Sequence, residues 1–238
     1  GWQAPEKNLE PALARLIALQ GGEGGWGWWR EGEADPYLTA LALDALARAR
    51  AAGLGGDAAE MAIGRGANAV PRLLAAVRRE DGEACMLAHL SWLLELQDAN
   101  TRFGDLRSRL EALALAIYGA RDKLGDQGLA HAALGHLGLG RAAEAKTLVE
   151  LLMTRVQQDG AGPHWRGRDE GWLGDEIEVT GNALSALLAV APADPRAADV
   201  LRWLAAQRRG DHWRSTRATA PVAIALFDWL HTHPADAQ

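Results

Sequence analysis

Residues Asn182-Ala183-Leu184-Ser185-Ala186-Leu187-Leu188, and with them Leu38-Thr39-Ala40-Leu41-Ala42-Leu43, consist almost entirely of Ala and Leu. A helix built from such a run is apolar nearly all round and must be covered on most sides, so it belongs to an inner layer. Upstream of each lies a helix of different make-up, which carries one charged face, ends in Gln and belongs outside. Between the two sits a loop rich in Gly and aromatics. Reading outward from these stretches, the spacing i, i+3, i+4, i+7 recurs nearly everywhere, as in Leu9, Leu13, Leu16 and Ile17. Strand-like alternation rich in Val, Ile and Thr is missing. The expectation is all-α, with roughly ten helical segments near 8–20, 36–52, 57–79, 83–97, 105–119, 125–138, 141–158, 176–191, 195–207 and 216–232.

The breaks carry the right chemistry. Gly53 to Gly56 ends one helix and Asp57 can cap the next; Asp194 can cap a helix whose first position is Pro195; Ser215 and Thr216 are available to cap the last. Pro221 must then lie close to that helix's start or kink it. The Gln-to-aromatic loop appears four times: Leu19-Gln20 to Gly25-Trp26, Leu96-Gln97 to Phe103-Gly104, Val156-Gln157-Gln158 to His164-Trp165, and Ala206-Gln207 to His212-Trp213. A unit repeated in this way cannot bury its face alone, and stacked copies share one core. Gln can bond the backbone of its turn, Gly permits the tight path, and Trp fills the gap between neighbouring hairpins. Pairs of outer and inner helices that curl into a ring form an α/α toroid, here of about five hairpins where a closed ring of this type has about six, which implies an open ring or a missing piece. Residues 1–238 read as one such domain, a fragment of a longer chain.

Composition narrows the function. The chain has 25 basic and 31 acidic residues, a net charge of −6, with the signs interspersed. Without a Lys/Arg stripe, nucleic acid and anionic membrane surfaces are not expected partners. No apolar run has the length of a membrane span, and Gly1-Trp2-Gln3-Ala4-Pro5 has no signal-peptide pattern. The single cysteine, Cys85, precludes an internal disulfide. Ten of the aromatic residues are Trp against two Phe and two Tyr, which points to Trp used at particular positions.

Several motifs resemble the thioester domain of bacterial alpha-2-macroglobulins. Trp26-Gly27-Trp28-Trp29 followed by Asp35-Pro36-Tyr37-Leu38-Thr39-Ala40 is similar to the family's segment just downstream of the thioester. Glu178-Val179-Thr180 with Ala183 to Leu188, Val200 to Gly210, and Trp213-Arg214-Ser215-Thr216-Arg217-Ala218-Thr219-Ala220 resemble later family blocks, the second also seen in complement thioester domains. Tyr118-Gly119-Ala120-Arg121-Asp122-Lys123-Leu124 is similar to a central one, so the resemblance runs across nearly the whole chain and in order. It implies a role in protease trapping or surface defence and a periplasmic or extracellular setting. The implied partners are the other domains of the parent chain and target proteases or surface proteins. In the family, Cys and Gln of a C-x-E-Q motif form an internal thioester that acylates nucleophiles. That motif is absent here: Cys85 lies in Glu83-Ala84-Cys85-Met86-Leu87-Ala88, with Ala88 at the Gln position, and the family's motif would precede Gly1.

The remaining candidates read mainly as structure. Cys85 sits on an Ala/Leu helix that offers it neither a base nor a depressed pKa in sequence, and is expected to be a buried thiol. His131 and His136 are five apart, which does not put two ligands on one helix face, and with His89 they are expected in the core. His164 and His212 precede Trp in equivalent loops, which favours a repeated structural role. Asp175, Glu176 and Glu178 open an inner helix and suit its free N–H groups. A toroid enzyme of the prenyltransferase or terpene-cyclase kind would need a zinc site or an acid cluster, and one Cys without a D-x-D-D argues against it. No catalytic, cofactor or metal residue is therefore expected. If every inner helix starts at one end of the ring, the candidate interaction face comprises Trp26, Trp28, Trp29, Asp35, Glu178, His212, Trp213, Ser215 and Thr216. A non-covalent protein-binding module with an exposed Trp-rich face is the alternative to the trap scaffold.

Overall fold

The computed structural model describes residues 6–29, 31–76, 80–95, 105–167, 175–210 and 212–233. The N-terminal pentapeptide and the Leu96-Gln97 to Phe103-Gly104 repeat lie outside these residues. The helices are α1 (Glu6–Ala18), α2 (Pro36–Ala51), α3 (Gly56–Ala76), α4 (Glu80–Ser91) continuing into a 3-10 turn at Trp92–Glu95, α5 (Leu106–Gly119), α6 (Asp126–Gly138), α7 (Ala142–Met153), α8 (Glu176–Val190), α9 (Arg196–Ala206) and α10 (Thr216–Thr232). They fall where the apolar periodicity put them, to within a few residues. The largest departure is at α7, expected to reach 158 but ending at Met153. Gln157–Gln158 instead pairs antiparallel with Pro163–His164. Asp159 closes that hairpin, its Oδ1 accepting from the backbone N–H of Ala161 (2.8 Å) and Gly162 (3.0 Å).

Helix ends follow local chemistry. Asp35, Asp175 and Ser215 accept bonds from the N–H of Leu38 (2.9 Å), Glu178 (2.8 Å) and Ala218 (3.1 Å) at the starts of α2, α8 and α10. After α2, Gly53 at φ +80° donates to Arg50 O and Leu54 donates to Ala49 O, the paired bonds that a left-handed glycine permits. Two expected caps shift by one residue. α3 begins at Gly56, with Asp57 in its first turn rather than before it. Pro195 precedes the first helical residue of α9, and Asp194 Oδ1 bonds Arg196 N at 2.9 Å.

The chain forms two compact units, Gly1–Leu115 and Ala116–Gln238. In the first, α2 packs against α3 and α4, and α1 against α3. Ala40, Leu43 and Leu46 of α2 are fully buried, as the Ala/Leu run requires. In the second unit α8 is the hub, packed against α6, α7, α9 and α10. Its residues from Glu178 to Leu188 are nearly all buried. α10 differs from a wholly inner helix. Ala218, Val222, Ala225 and Trp229 form a buried stripe, whereas Ile224 and Phe227 stand 50% and 77% exposed.

The α8–α10 contact is set by the absence of a side chain. A Cβ on Gly181 would meet Val222 N at 3.0 Å and Pro221 C at 3.1 Å, both backbone atoms that cannot rotate away. Alanine favours a helix over glycine by about 1 kcal/mol, but overpacking costs about 1–3 kcal/mol. Sterics should win, so Gly181→Ala is expected to lower stability by about 1–2 kcal/mol in urea denaturation. A gain in stability would show that the two helices are not in such close approach.

Candidate functional site

The Gln-to-Trp loops are built on one design, legible in three copies among the described residues. Each Trp is bonded at two points. The indole N–H donates to a carbonyl in the last turn of the preceding helix: Trp26 to Leu16 O at 2.8 Å, Trp165 to Leu152 O at 2.8 Å, and Trp213 to Leu204 O at 2.7 Å. Each of these carbonyls lies in a last helical turn and also accepts from the backbone N–H three residues on (Leu19 to Leu16 O at 3.2 Å, Arg155 to Leu152 O at 3.1 Å, Gln207 to Leu204 O at 3.2 Å), so the indole takes up remaining acceptor capacity at the helix end. The backbone N–H of the same Trp donates to a Thr hydroxyl on the following helix: Trp26 to Thr39 Oγ1 at 2.9 Å, Trp165 to Thr180 Oγ1 at 3.1 Å, and Trp213 to Thr219 Oγ1 at 3.2 Å. One residue thus joins an outer helix end to an inner helix start.

Burial supplies most of the energy. Trp26, Trp165 and Trp213 are 4%, 0% and 7% exposed. Covering about 200 Å² of aromatic surface is worth about 5 kcal/mol at about 25 cal/mol per Å², against about 1 kcal/mol net for each hydrogen bond. The bonds decide position, since an indole or amide N–H left unpaired there would cost about 1–3 kcal/mol. The expected role of Gln is seen at Gln20, whose Nε2 donates to Gly24 O at 2.7 Å and to Ala62 O at 2.8 Å. Gly24 sits at φ +87°, and a Cβ there would run into the Arg65 carbonyl.

The nine residues of the expected interaction face divide accordingly. Trp26 and Trp213 are buried and hold helices together, so they offer no exposed surface. Glu178 is 3% exposed and accepts from Gln127 Nε2 at 3.1 Å. Asp35 does two jobs in the first unit, capping α2 through Oδ1 and accepting from Trp28 Nε1 at 3.2 Å through Oδ2. Trp28 and Trp29 are 49% and 80% exposed. Ser215 and His212 are exposed in the second unit, while the side chain of Thr216 lies outside the described residues. Both histidines pair through their backbone, His164 with Gln157 and His212 with Arg209, but they differ in burial: His164 is buried and stacks on Trp203 with centroids 4.7 Å apart, whereas His212 is exposed.

One constellation escaped sequence reasoning. Cys85 and His89, four apart on α4, share a face, and the Cys85 sulfur lies within 4.8 Å of a His89 ring nitrogen. Cys85 is buried as expected. His89 Nδ1 is 2.7 Å from Asp44 Oδ2 on α2, and Asp44 Oδ1 accepts from Arg48 Nε at 2.6 Å. Burial pulls the His89 pKa down, but its interactions with Cys85 and with the Asp44 carboxylate together outweigh it and lift the imidazole to about 10. The C-x-x-x-H spacing was the available signal; the Asp44 partner, 45 residues away, had none. His131 and His136 are core histidines, His136 Nδ1 lying 2.8 Å from Ala132 O.

Thr180 gives the sharpest test of the Trp loops. Thr180→Val keeps the shape but strips the acceptor from the buried Trp165 N–H, and should cost about 1–3 kcal/mol in urea unfolding. Thr180→Ser keeps the hydroxyl and should retain most of that difference. Equal losses in both variants would mean that the methyl, not the bond, matters.

No family model matches the chain. Alpha-2-macroglobulin of Thermotoga maritima is 23% identical over 223 residues, covering 94% of this chain and 12% of that protein. The solved structure of Salmonella alpha-2-macroglobulin reacted with methylamine superposes with a TM-score of 0.69 at 19% identity, over 96% of this chain and 15% of that one. Native Escherichia coli alpha-2-macroglobulin, from domain MG7 to the C-terminus, gives 0.64 at 20% identity, over 96% and 35%. At such identities the structures speak to the fold, and they uphold the all-α, α/α-toroid class. The chain spans about an eighth of the length of its curated relative. Sequence and fold agree with the resemblance carried by the motifs: this chain is a relative of the bacterial alpha-2-macroglobulins, equivalent to a portion of such a protein.

Proposed function

We propose that residues 1–238 act as one domain, the helical scaffold of an alpha-2-macroglobulin-like thioester domain, within a protein that inhibits endopeptidases by trapping them. The observation that carries this reading is the match over 94% of the chain to a bacterial alpha-2-macroglobulin. The Trp loops fit it, since a scaffold must hold helix pairs rigidly while a reactive bond is kept elsewhere. The sequence contains no C-x-E-Q, so any thioester belongs to another part of a parent chain. In this reading the chain is not an enzyme. Its partners are the other domains of the parent and, through them, target proteases or surface proteins in the periplasm or at the cell surface. No helix among the described residues is long and apolar enough to cross a membrane.

A second reading is favoured by Trp29, 80% exposed beside the half-exposed Trp28. A large aromatic left in water is a typical anchor for a protein partner. In that reading the toroid has lost covalent capture and docks a partner non-covalently through this loop.

Methylamine, which opens a thioester, separates the two. The parent chain is treated with it and then challenged with a protease, and covalent capture is read as a denaturant-resistant band. The trap reading expects capture before treatment and none after. Capture that is never covalent, and that Trp29→Ala weakens, would instead establish the second reading.

A further inference from the structure

Cys85, His89 and Asp44 have the order of an activated nucleophile: a sulfur, an imidazole within reach on the same helix face, and a carboxylate orienting that imidazole. Asp44 accepts from Nδ1–H, which leaves Nε2 as the nitrogen able to take the thiol proton. Asp44 is itself buried and pinned by Arg48, so the imidazole is held in one orientation. The ring edge of Tyr37 lies against His89, with centroids 6.4 Å apart. Within this unit, the groups facing His89 include Cys85 on its own helix, and Asp44 and Tyr37 on α2, with Arg48 behind the carboxylate. A thiol needing only to fill space requires none of this.

We propose that Cys85 is a modification site, a thiol held as thiolate by His89 and Asp44 and reactive toward small organic disulfides. The burial limits the reagent class: Cys85 is 3% exposed, so a reagent for it must be small. The chemistry selects exchange over acyl transfer, because disulfide exchange spreads its charge along the sulfurs and requires no separate oxyanion donors. The thiol proton sits on His89. The Cys85 sulfur attacks one sulfur of RS–SR, the S–S bond breaks, and the leaving RS⁻ takes the proton from His89. Cys–SH and RS–SR become Cys–S–SR and RSH, and excess thiol reverses the step. The disulfide is the oxidant and no other is needed.

The test treats the intact chain with bis(hydroxyethyl) disulfide and follows the mixed disulfide by mass, from about pH 5 to pH 8. An ordinary thiol of pKa about 8.5 loses about tenfold in reactivity per pH unit below that value. Cys85 is expected to react at pH 5 within about threefold of its rate at pH 7. His89→Gln should restore the steep ordinary profile, and Asp44→Asn should move it part of the way. The wild-type profile stands by itself if either variant fails to fold. A wild-type rate falling tenfold per unit, or labelling only after unfolding in guanidinium, overturns the proposal.

Discussion

The fold depends on a hydrogen-bonding problem at helix ends. Every helix leaves carbonyls without a turn to bond them and N–H groups without a turn to receive them. In a stack of helical hairpins these groups meet in the crowded loops between neighbours, away from water. Here Asp35, Asp175 and Ser215 accept from the N–H groups of the helix about to begin, and Trp links that helix to the one before it. A Trp indole donates to the carbonyl of the helix that has ended, and its own backbone N–H donates to a Thr of the helix about to begin. Phe could fill much of the same volume but could not donate, which fits the use of Trp at positions 26, 165 and 213. The neighbours fit this solution. In the first loop Gly24 lets the chain pass against the Arg65 carbonyl, and in all three Asp or Ser caps the next helix, whose Thr faces back toward the loop.

Charge is handled by the same economy of position. Buried Asp44 is held by Arg48 and His89, and Glu178 by Gln127, as burial of carboxylates demands. Apolar surface left outside is spread over several elements, most exposed at Trp29, Phe227, Met61 and Leu115. The links from sequence to packing are therefore dense in the interior and loose at these outer faces.

Most of the helical frame could be read directly. The Ala/Leu runs declared the inner helices α2 and α8, and Gln-Gly-Trp punctuation declared where they start. What could not be read were contacts set by three-dimensional proximity. Thr39, Thr180 and Thr219 were visible in the motifs, but nothing in their spacing from Trp, which is 13, 15 and 6 residues, marked them as partners. Burial among the residues of the candidate face was hidden for the same reason. Trp26 and Trp28 are two residues apart, yet the loop turns one into the core and the other outward. Cys85 and His89 stood four apart on a helix whose apolar composition drew attention to packing rather than to chemistry.

The central claim is that these Trp residues, by bonding at both ends, hold the helical pairs together. Hydrogen exchange of the indole N–H groups, followed by NMR in the native chain, addresses it most directly. The account predicts that the indoles of Trp26, Trp165 and Trp213 exchange only as fast as their unit unfolds, on a par with the most protected helix amides, while the exposed Trp29 indole exchanges almost freely. Fast exchange at Trp165 while the amides of α8 stay protected would contradict it, and would leave the frame to be explained by apolar packing alone.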